Sequence, residues 1–254
     1  MKFRAIVLAG SRPGGDVFAR QFGTDMKALI AIGGEPMVRR PVRALLASRY
    51  VGEVVVLSQA PERIADVLPD SWNVEVRHSR GTIAETMLEV CNDLRTHWPL
   101  LVTTADHALL DAATIDEFCG RSIGADLTVG VVARELLIQR FPDAERTWLK
   151  FRGGAYTGAN LFALASPKVS PAIELWRSVE QDRKKGWRLI TTAGPLLLLG
   201  AVLRLLSLND VLAGLGRKLG IKVRAVPLSN PLAGVDVDKP VDHTLAEAVL
   251  AGKA

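Results

Sequence analysis

The amino-acid sequence predicts an α/β protein with a mostly parallel, doubly wound sheet and an antiparallel extension in its C-terminal part. Short apolar runs alternate with helical segments through the first 135 residues, as expected when helices connect parallel strands. These runs are continuously apolar, which is typical of strands that helices cover on both faces. Later in the chain, two predicted strands follow each other without a long helix between them, so we expect them to pair antiparallel.

The first half is predicted to alternate strands with helices. The predicted strands cover residues 4–9, 53–58, 73–77, 100–104 and 126–133. Helices are predicted over residues 37–48, 61–67 and 83–95. A fourth helix is expected to begin around Asp111 and Thr114, because Asp116 and Glu117 then lie in the first turn, where the helix dipole favours acidic side chains.

The start of the first helix depends on two prolines. Residues 33–36 are expected to begin it, with Pro36 near the first turn. Pro41 is then expected either to kink the helix or to move its true start to a later residue, because proline has no N–H to donate.

The second half is predicted to hold the antiparallel pair, a helix, a further strand and a final helix. These elements are predicted at residues 148–151, 156–164, 171–182, 222–227 and 240–251. No linker, repeat or low-complexity segment divides the chain, and its 254 residues suit one large α/β domain. We therefore expect a single domain over residues 1–254.

The composition narrows the classes of partner. The net charge of +5 and the pI near 9.4 suit an acidic partner such as a nucleotide, a nucleic acid or an anionic lipid. Lysine and arginine are scattered without interleaved aromatic residues, so no nucleic-acid partner is expected. The four histidines and the two cysteines, Cys91 and Cys119, lack the spacing of a zinc site, and a disulfide between the cysteines stays open. The N-terminal apolar run is too short for a signal peptide.

The segment 187–219 is rich in leucine and is flanked by lysine and arginine. Its most apolar part is short and interrupted by glycine and proline, unlike a membrane span. Two interpretations remain open. The segment forms a buried or dimer-forming pair of helices, or it lies on a membrane surface with its basic flanks on anionic headgroups.

The first predicted strand passes directly into a glycine-rich loop, residues 10–16. Glycine lets backbone N–H groups approach an anion closely, and a nearby cation neutralises it. Arg12 lies in the loop and Lys27 follows it, so the segment suits a phosphate site. The alternative is an ordinary tight turn with two solvated cations.

Acidic residues at two later positions suit a metal ion. Asp106 follows the predicted strand 100–104, and ligands bind outside the carboxyl ends of such strands. Its carboxylate could hold Mg²⁺, or it could cap a helix. Asp236 and Asp238 form a D-x-D pair before the last helix. We expect their side chains to point to opposite sides, so that one faces the metal and the other caps the helix.

Taken in order, these segments resemble the MobA-like, GT-A-like NTP transferases, a family of nucleotidyltransferases. The resemblance rests on Leu8-Ala9-Gly10 with Arg12, on Lys27-Ala28-Leu29 with Gly34-Glu35-Pro36, on Asp106 and on the segment 236–242. It implies a Rossmann-like, GT-A-type sheet. It also implies a nucleotide-binding half, residues 1–135, and an acceptor-binding half, residues 136–254, that carries the insertion 187–219.

The resemblance further implies a role for each site residue. The catalytic residues would be Arg12, Lys27 and Asp106, and the Mg²⁺ ligands Asp106, Asp236 and Asp238. Contacts to the acceptor would come from Gly158 and Asn160. The nucleotide-binding residues would be Leu8, Ala9, Gly10, Ser11, Gly14, Gly15, Gly81 and Thr82.

The implied activity is a Mg²⁺-dependent transfer of a nucleoside monophosphate from a nucleoside triphosphate to a phosphorylated small molecule, with release of pyrophosphate. The basic, leucine-rich segment favours CTP and a lipid-headgroup or sugar precursor, made in the cytoplasm or at the inner face of the membrane. Two alternatives are a GT-A glycosyltransferase that uses a sugar nucleotide and a non-catalytic nucleotide-binding protein.

Overall fold

The computed structural model describes residues 1–10, 15–93, 95–180 and 204–253. Within these residues the main sheet has eight strands, and β2 and β3 form a small separate hairpin. The strands are β1 (Phe3–Leu8), β2 (Ala31–Ile32), β3 (Glu35–Pro36), β4 (Val51–Ser58), β5 (Glu75–His78), β6 (Leu100–Thr104), β7 (Leu127–Ala133), β8 (Leu149–Phe151), β9 (Gly154–Leu164) and β10 (Val223–Pro227).

The main sheet is mixed but mostly parallel. Its order is β10-β7-β9-β6-β1-β4-β5, with β8 paired to β9 outside this path. β1 is parallel to β4 and β6, β4 to β5, and β10 to β7, whereas β9 is antiparallel to β6, β7 and β8. The predicted α/β fold class is confirmed. β9 lies inside the sheet, between β6 and β7, and so joins the later part of the chain to the earlier part.

The described helices largely follow the predicted pattern. They are α1 (Val17–Arg20), α2 (Arg39–Ala47), α3 (Pro61–Ala65), α4 (Ile83–Asn92), α5 (Ala112–Ser122), α6 (Arg134–Arg140), α7 (Ser170–Glu180), α8 (Leu208–Leu219) and α9 (Pro240–Leu250). Short 3₁₀ turns cover Lys27–Leu29, Asp70–Trp72, Pro167–Val169 and Pro231–Gly234. The short helix α1 and the helix α6, directly after β7, were not predicted.

Apolar cores cover both faces of the central strands. Along β1, Ala5 and Val7 join one buried cluster, whereas Ile6 joins the other. Along β4, Val54 and Val56 join the first cluster and Val55 the second. Because neighbouring side chains point to opposite faces of a strand, a continuously apolar run is what a sheet between two layers of helices requires.

The expectation that residues 33–36 begin a helix is wrong. Gly33 and Gly34 form the turn of the β2–β3 hairpin with φ angles of 60° and 78°, a left-handed region that glycine adopts without steric cost. The helix α2 begins at Arg39, so that Pro41 is its third residue. An N–H in the first turn has no partner within the helix, so proline is tolerated there and the later start is confirmed.

Only the last part of the leucine-rich segment, from residue 204, is described. Its helix α8 begins with a capping box between Ser207 and Asp210, and it ends at Gly220, which has a φ of 69°. A Cβ at Gly216 would lie 2.5 Å from the carbonyl oxygen of Ile221, so the helix packs closely against the chain that leads into β10. Residues 187–203 lie outside the described residues. In the described part of the chain, no helix has both the length and the apolar character of a bilayer span.

Candidate active site

Four parallel strands, β1, β4, β5 and β6, end at one edge of the sheet. Main-chain pairing continues just past their ends, since the N–H of Ala105 donates to the carbonyl of Leu8 at 3.0 Å. Gly10 and Asp106 therefore leave the sheet next to each other. Ligands of open α/β sheets bind outside this kind of edge, and both Gly10, where the glycine-rich loop begins, and the strand-end aspartate lie there.

Lys27 reaches Asp106 across this edge. The 3₁₀ turn that carries Lys27 is fixed by a hydrogen bond from the N–H of Val38 to the carbonyl of Ala28, at 3.0 Å. The Lys27 Nζ lies 2.5 Å from Asp106 Oδ2 and also contacts Asp238 Oδ1. The Lys27 side chain is 18% exposed and that of Asp106 is 16% exposed, so the pair is largely shielded from water.

The D-x-D segment is fastened to the same edge through its middle residue. The N–H of Val237 donates to the carbonyl of Asp106 at 3.0 Å, and the Val237 side chain is buried. Just before the segment, a Cβ at Gly234 would lie 2.8 Å from Leu137 Cδ1 of α6 and 3.1 Å from Thr157 Cγ2 of β9, so the chain packs closely on both elements. Three sequence-predicted residues, Lys27, Asp106 and Asp238, therefore meet at one place.

Asp236 belongs to the same cluster but has different partners. Its Oδ1 accepts a hydrogen bond from Arg146 at 2.7 Å, and its Oδ2 accepts one from Asn160 at 3.2 Å. Asn160 lies in β9 with a φ of 46°, a left-handed conformation that asparagine adopts more readily than most residues. The expectation that the two carboxylates of the D-x-D pair point apart is wrong. Residues i and i+2 of an extended segment share one side, and both carboxylates reach this cluster.

Two residues of the cluster were not assigned a role from the sequence. Arg146 lies 3.0 Å from Asp242 Oδ1 as well as contacting Asp236, and the Arg146 and Asp242 side chains are only 8% and 6% exposed. Asp242 belongs to the segment 236–242 on which the family resemblance rests, so the sequence motif could have pointed to it. Arg146 lies in an irregular loop between α6 and β8, and nothing in its local sequence points to the site.

The alternative capping roles of the acidic residues are not observed. Asp111 caps α5, and the Asp106 side chain instead accepts from Thr104 and Lys27. The expectation that one aspartate of the D-x-D pair caps α9 is wrong. The Asp242 Oδ2 accepts the N–H groups of Asp238 and Lys239, each at 3.1 Å.

The charges of the cluster shift three pKa values. Burial lowers the pKa of Lys27, but the carboxylates of Asp106 and Asp238 outweigh burial and raise it overall. Burial raises the pKa of Asp236 and the charge of Asp238 adds to this, although Arg146 opposes both. Burial also acts to raise the pKa of Asp238, but Lys27 dominates and the pKa is lowered. The pKa values of the two aspartates of the D-x-D pair are therefore shifted in opposite directions.

The donor atoms of this cluster fit a hard divalent cation such as Mg²⁺. In residues 1–10, 15–93, 95–180 and 204–253, no three His, Cys, Asp or Glu side chains are arranged as a preformed metal site. Mg²⁺ does not need one, because it commonly takes one or two protein carboxylates and completes its shell with water and phosphate oxygens. The carboxylates of Asp106, Asp236 and Asp238 supply oxygen donors only, and the Mg²⁺ site there stays a prediction.

Comparison with known proteins decides the family. The model of the MobA-like NTP transferase domain matches residues 5–194, about three quarters of the chain. The chain belongs to the MobA-like NTP transferase family. The resemblance found in the sequence is thereby confirmed, and the protein is a transferase of the nucleotidyltransferase class. The D-x-D segment and α9 lie beyond the matched residues.

Solved structures share the fold of this NTP transferase. A hypothetical transferase from Thermus thermophilus is 31% identical, with a TM-score of 0.81 over 96% of this chain and 100% of that one. A CMP:2-keto-3-deoxy-manno-octonic acid synthetase complexed with CTP is 12% identical, with a TM-score of 0.63 over 100% of both chains. A 2-C-methyl-D-erythritol 4-phosphate cytidylyltransferase, also from Thermus thermophilus, is 13% identical, with a TM-score of 0.56 over 99% and 100%. No curated protein matches the chain.

The glycine-rich loop of this NTP transferase is described at its two ends, and its contact with phosphate stays a prediction. Leu8 ends β1, Ala9 is buried, and a Cβ at Gly10 would lie 3.2 Å from the Gln59 side chain. At the other end, Gly15 has a φ of 81°. The predicted residues Ser11, Arg12 and Gly14 lie outside the described residues.

Gly81 and Thr82 follow β5 at the same edge of the sheet. The Thr82 hydroxyl caps α4 by accepting the N–H of Glu85, and the Glu85 carboxylate accepts the N–H of Thr82 at 2.8 Å. Gly81 has a φ of 76°, and a Cβ there would lie 2.2 Å from the Glu85 carboxylate. The local turn by itself requires both residues, and their contact with a nucleoside stays a prediction.

Gly158 lies in β9, two residues before Asn160. It is exposed, and a Cβ placed on it would meet none of the described atoms within 4 Å. The β9 side of the edge is therefore open at Gly158, and the contact of Gly158 and Asn160 with an acceptor stays a prediction.

His107, next to Asp106, is buried in the core, where burial lowers its pKa to about 4 and keeps the ring neutral.

Proposed function

We propose that this protein transfers a nucleoside monophosphate from a nucleoside triphosphate to a phosphorylated small molecule and releases pyrophosphate. One observation carries the proposal. Lys27 and the D-x-D segment, 211 residues apart in sequence, meet Asp106 at the sheet edge where the glycine-rich loop begins. Charge neutralisation and alignment are the main requirements of phosphoryl chemistry, and this cluster combines a cation with oxygen ligands.

The triphosphate would lie over the loop 10–15, with Lys27 and Arg12 offsetting the charge that grows on the leaving pyrophosphate. A phosphate oxygen of the acceptor attacks the α-phosphorus in line, a new P–O bond forms, and the bond to the bridging oxygen breaks with its electron pair leaving on pyrophosphate. Mg²⁺ bound by Asp106 and the D-x-D pair would align and neutralise the α-phosphate. Gly158 and Asn160 would face the acceptor.

CTP is the nucleotide we favour. The fold is shared with a synthetase complexed with CTP and with a cytidylyltransferase, and the basic, leucine-rich segment suits a precursor used at a membrane. Gly81 and Thr82, at the end of β5, would lie against the nucleoside. The acceptor would be a phosphorylated sugar or a lipid-headgroup precursor.

The decisive experiment is a thermal-unfolding panel of the four nucleoside triphosphates, each with Mg²⁺ or with EDTA. We expect a Mg²⁺-dependent rise in unfolding temperature for one triphosphate, followed by pyrophosphate release when the matching acceptor is added. A rise with a sugar nucleotide and with none of the triphosphates would instead identify a GT-A glycosyltransferase. Binding of a triphosphate without turnover across an acceptor library would identify a nucleotide-binding protein.

The membrane placement has its own test. We propose that the segment 187–219 brings the protein to the inner face of the membrane. Flotation with vesicles of anionic phospholipid should carry the protein upwards at low salt and release it at high salt, because the attraction of basic flanks to headgroups is screened. No flotation, together with a dimer in analytical ultracentrifugation, would favour the alternative of a helical dimer contact.

A further inference from the structure

Lys27 occupies the position between two carboxylates that a bound cation would neutralise. Its ammonium contacts Asp106 Oδ2 at 2.5 Å and Asp238 Oδ1 on the other side. Asp106 follows β6, whereas Asp238 precedes α9, so the ammonium joins two separate segments. It thereby performs the task that a metal ion performs when it bridges two carboxylates.

Arg146, the other cation of the cluster, is held quite differently. Its guanidinium is 8% exposed and bridges Asp236 to Asp242, which is 6% exposed. Removing a planar guanidinium from two such partners would leave an unpaired buried charge. Arg146 is therefore a permanent part of the structure.

The Lys27 ammonium, in contrast, is free to leave its carboxylate partners. Its partner Asp238 is 54% exposed, so water and ions reach at least one side of the contact. A lysine ammonium is a compact charge on a flexible stem of four carbons, and it can move several ångströms by changing rotamers. Asp106, at the carboxyl end of β6 beside Gly10, stays in place when Lys27 moves because the strand holds it.

We propose that Lys27 and a divalent cation are alternative partners of the Asp106–Asp238 pair, and that Lys27 moves onto the triphosphate when the metal nucleotide arrives. The inference rests on the proposed function, which supplies both the metal and the triphosphate. Two positive charges compete for the same carboxylate oxygens, and the triphosphate resolves the competition by offering the ammonium another anion. The protein therefore binds a divalent cation weakly alone and more tightly with a nucleotide.

The test is Mn²⁺ binding to the protein without nucleotide, followed by electron paramagnetic resonance of the free ion. We expect Lys27→Met to bind Mn²⁺ about tenfold more tightly than the wild type, since it removes a positive charge in direct contact with the ligands. The matched control is Arg49→Met. Arg49 lies just before the amino end of β4, and its exposed cation pairs with Asp116. The Mn²⁺ affinity of this variant should equal that of the wild type within about twofold.

Thermal unfolding is a second measurement, and it keeps the test valid if Lys27→Met folds poorly. Without metal, the unscreened carboxylates should make Lys27→Met and Lys27→Gln less stable than the wild type, and Mn²⁺ should raise their unfolding temperatures more than that of the wild type. The affinity for triphosphate, measured in EDTA, should fall in both variants, whereas their affinity for Mn²⁺ should rise. A residue with a purely structural role would lower both affinities together.

The outcomes separate the inference from the function on which it rests. If the wild type binds Mn²⁺ and Lys27→Met binds it equally or more weakly, the exchange is wrong and the proposed function stands. If the wild type binds neither Mn²⁺ nor any triphosphate with Mn²⁺, the proposed function itself fails.

Discussion

Each aspartate of the cluster has a distinct set of contacts. Asp106 accepts from Lys27 and from Thr104, and its backbone carbonyl accepts from Val237. It is the only one of the three metal-ligand candidates that stands at the end of a central parallel strand of the described sheet. The position of Asp106 is thus set by β6 and by the D-x-D segment together.

Replacing Asp106 by asparagine should remove activity while the fold stays intact. The change keeps the shape of the side chain and removes the negative charge that Lys27 and a metal require, so pyrophosphate release should fall by about 100-fold or more. Circular dichroism should show an unchanged fold. Asp93→Asn, which alters a partly exposed carboxylate paired with the exposed Arg95, is the control and should retain full activity. Near-normal activity of Asp106→Asn would exclude a role for this carboxylate.

The two cysteines should be unreactive in the native protein. Both are free and buried, which leaves no disulfide in the described structure. Burial raises the pKa of each thiol to about 12, and the charge of Asp116 adds to this effect at Cys119. At pH 8 only about one thiol in ten thousand is then ionised, and the thiolate is the reactive form. Iodoacetamide should label both cysteines in urea and neither in buffer, as mass spectrometry would show; rapid labelling of the native protein would contradict the burial.

At the scale of elements, short pieces of irregular structure position the site. The β2–β3 hairpin follows the turn that carries Lys27, and the N–H of Met37, just after the hairpin, donates to the carbonyl of Ile30 at 2.8 Å. The hairpin therefore closes a loop around the base of Lys27. Its turn depends on two glycines with positive φ, so replacing either glycine by alanine should strain the hairpin.

Gly34→Ala should destabilise the protein by about 1 kcal/mol or more, because an L-residue is strained at a φ of 78°. The site around Gly34 has room for a Cβ, so the cost is conformational and not a clash with any described atom. Gly158→Ala is the matched control, since Gly158 also has open space but an ordinary φ. Urea unfolding should show a loss for Gly34→Ala and none for Gly158→Ala; equal effects would mean that the turn is not strained.

At the scale of the whole molecule, Arg146 joins segments that are far apart in the chain. It contacts Asp236 and Asp242, 90 and 96 residues later, and both ion pairs are largely shielded from water. Asn160, on the strand β9 inside the sheet, also donates a hydrogen bond to Asp236 and so ties the same C-terminal segment to the sheet. Loss of one partner would leave buried charges without compensation.

Arg146→Met should therefore cost about 3–5 kcal/mol of unfolding free energy, the range for breaking a buried pair by removing one partner. Arg152→Met is the control, because Arg152 makes an ion pair with Asp210 in which both side chains are well exposed, and such pairs contribute less than about 1 kcal/mol. Urea unfolding of both variants would test the difference. Similar small losses would show that the Arg146 pairs contribute little to stability.

The sequence by itself determined the fold class and most of the elements. Continuously apolar runs such as residues 4–9 and 53–58 predicted buried parallel strands, because a strand between two layers of helices must be apolar on both faces. The resemblance to the family followed from the glycine-rich loop with Arg12, Lys27, Asp106 and the D-x-D segment taken in order. The hairpin at residues 31–36 and the helices α1 and α6 were missed, since none of them has a hydrophobic period long enough to be recognised.

Only the tertiary structure decided which of these residues meet. That Lys27 bridges Asp106 and Asp238, and that β9 lies between β6 and β7, depends on contacts between segments far apart in the chain. Arg146 has no local signal at all, because an arginine in an irregular loop has the same sequence pattern whether it faces water or a pair of buried carboxylates. Local sequence fixes periodicity and turns, whereas the pairing of distant charges is fixed by the order of strands in the sheet and by burial.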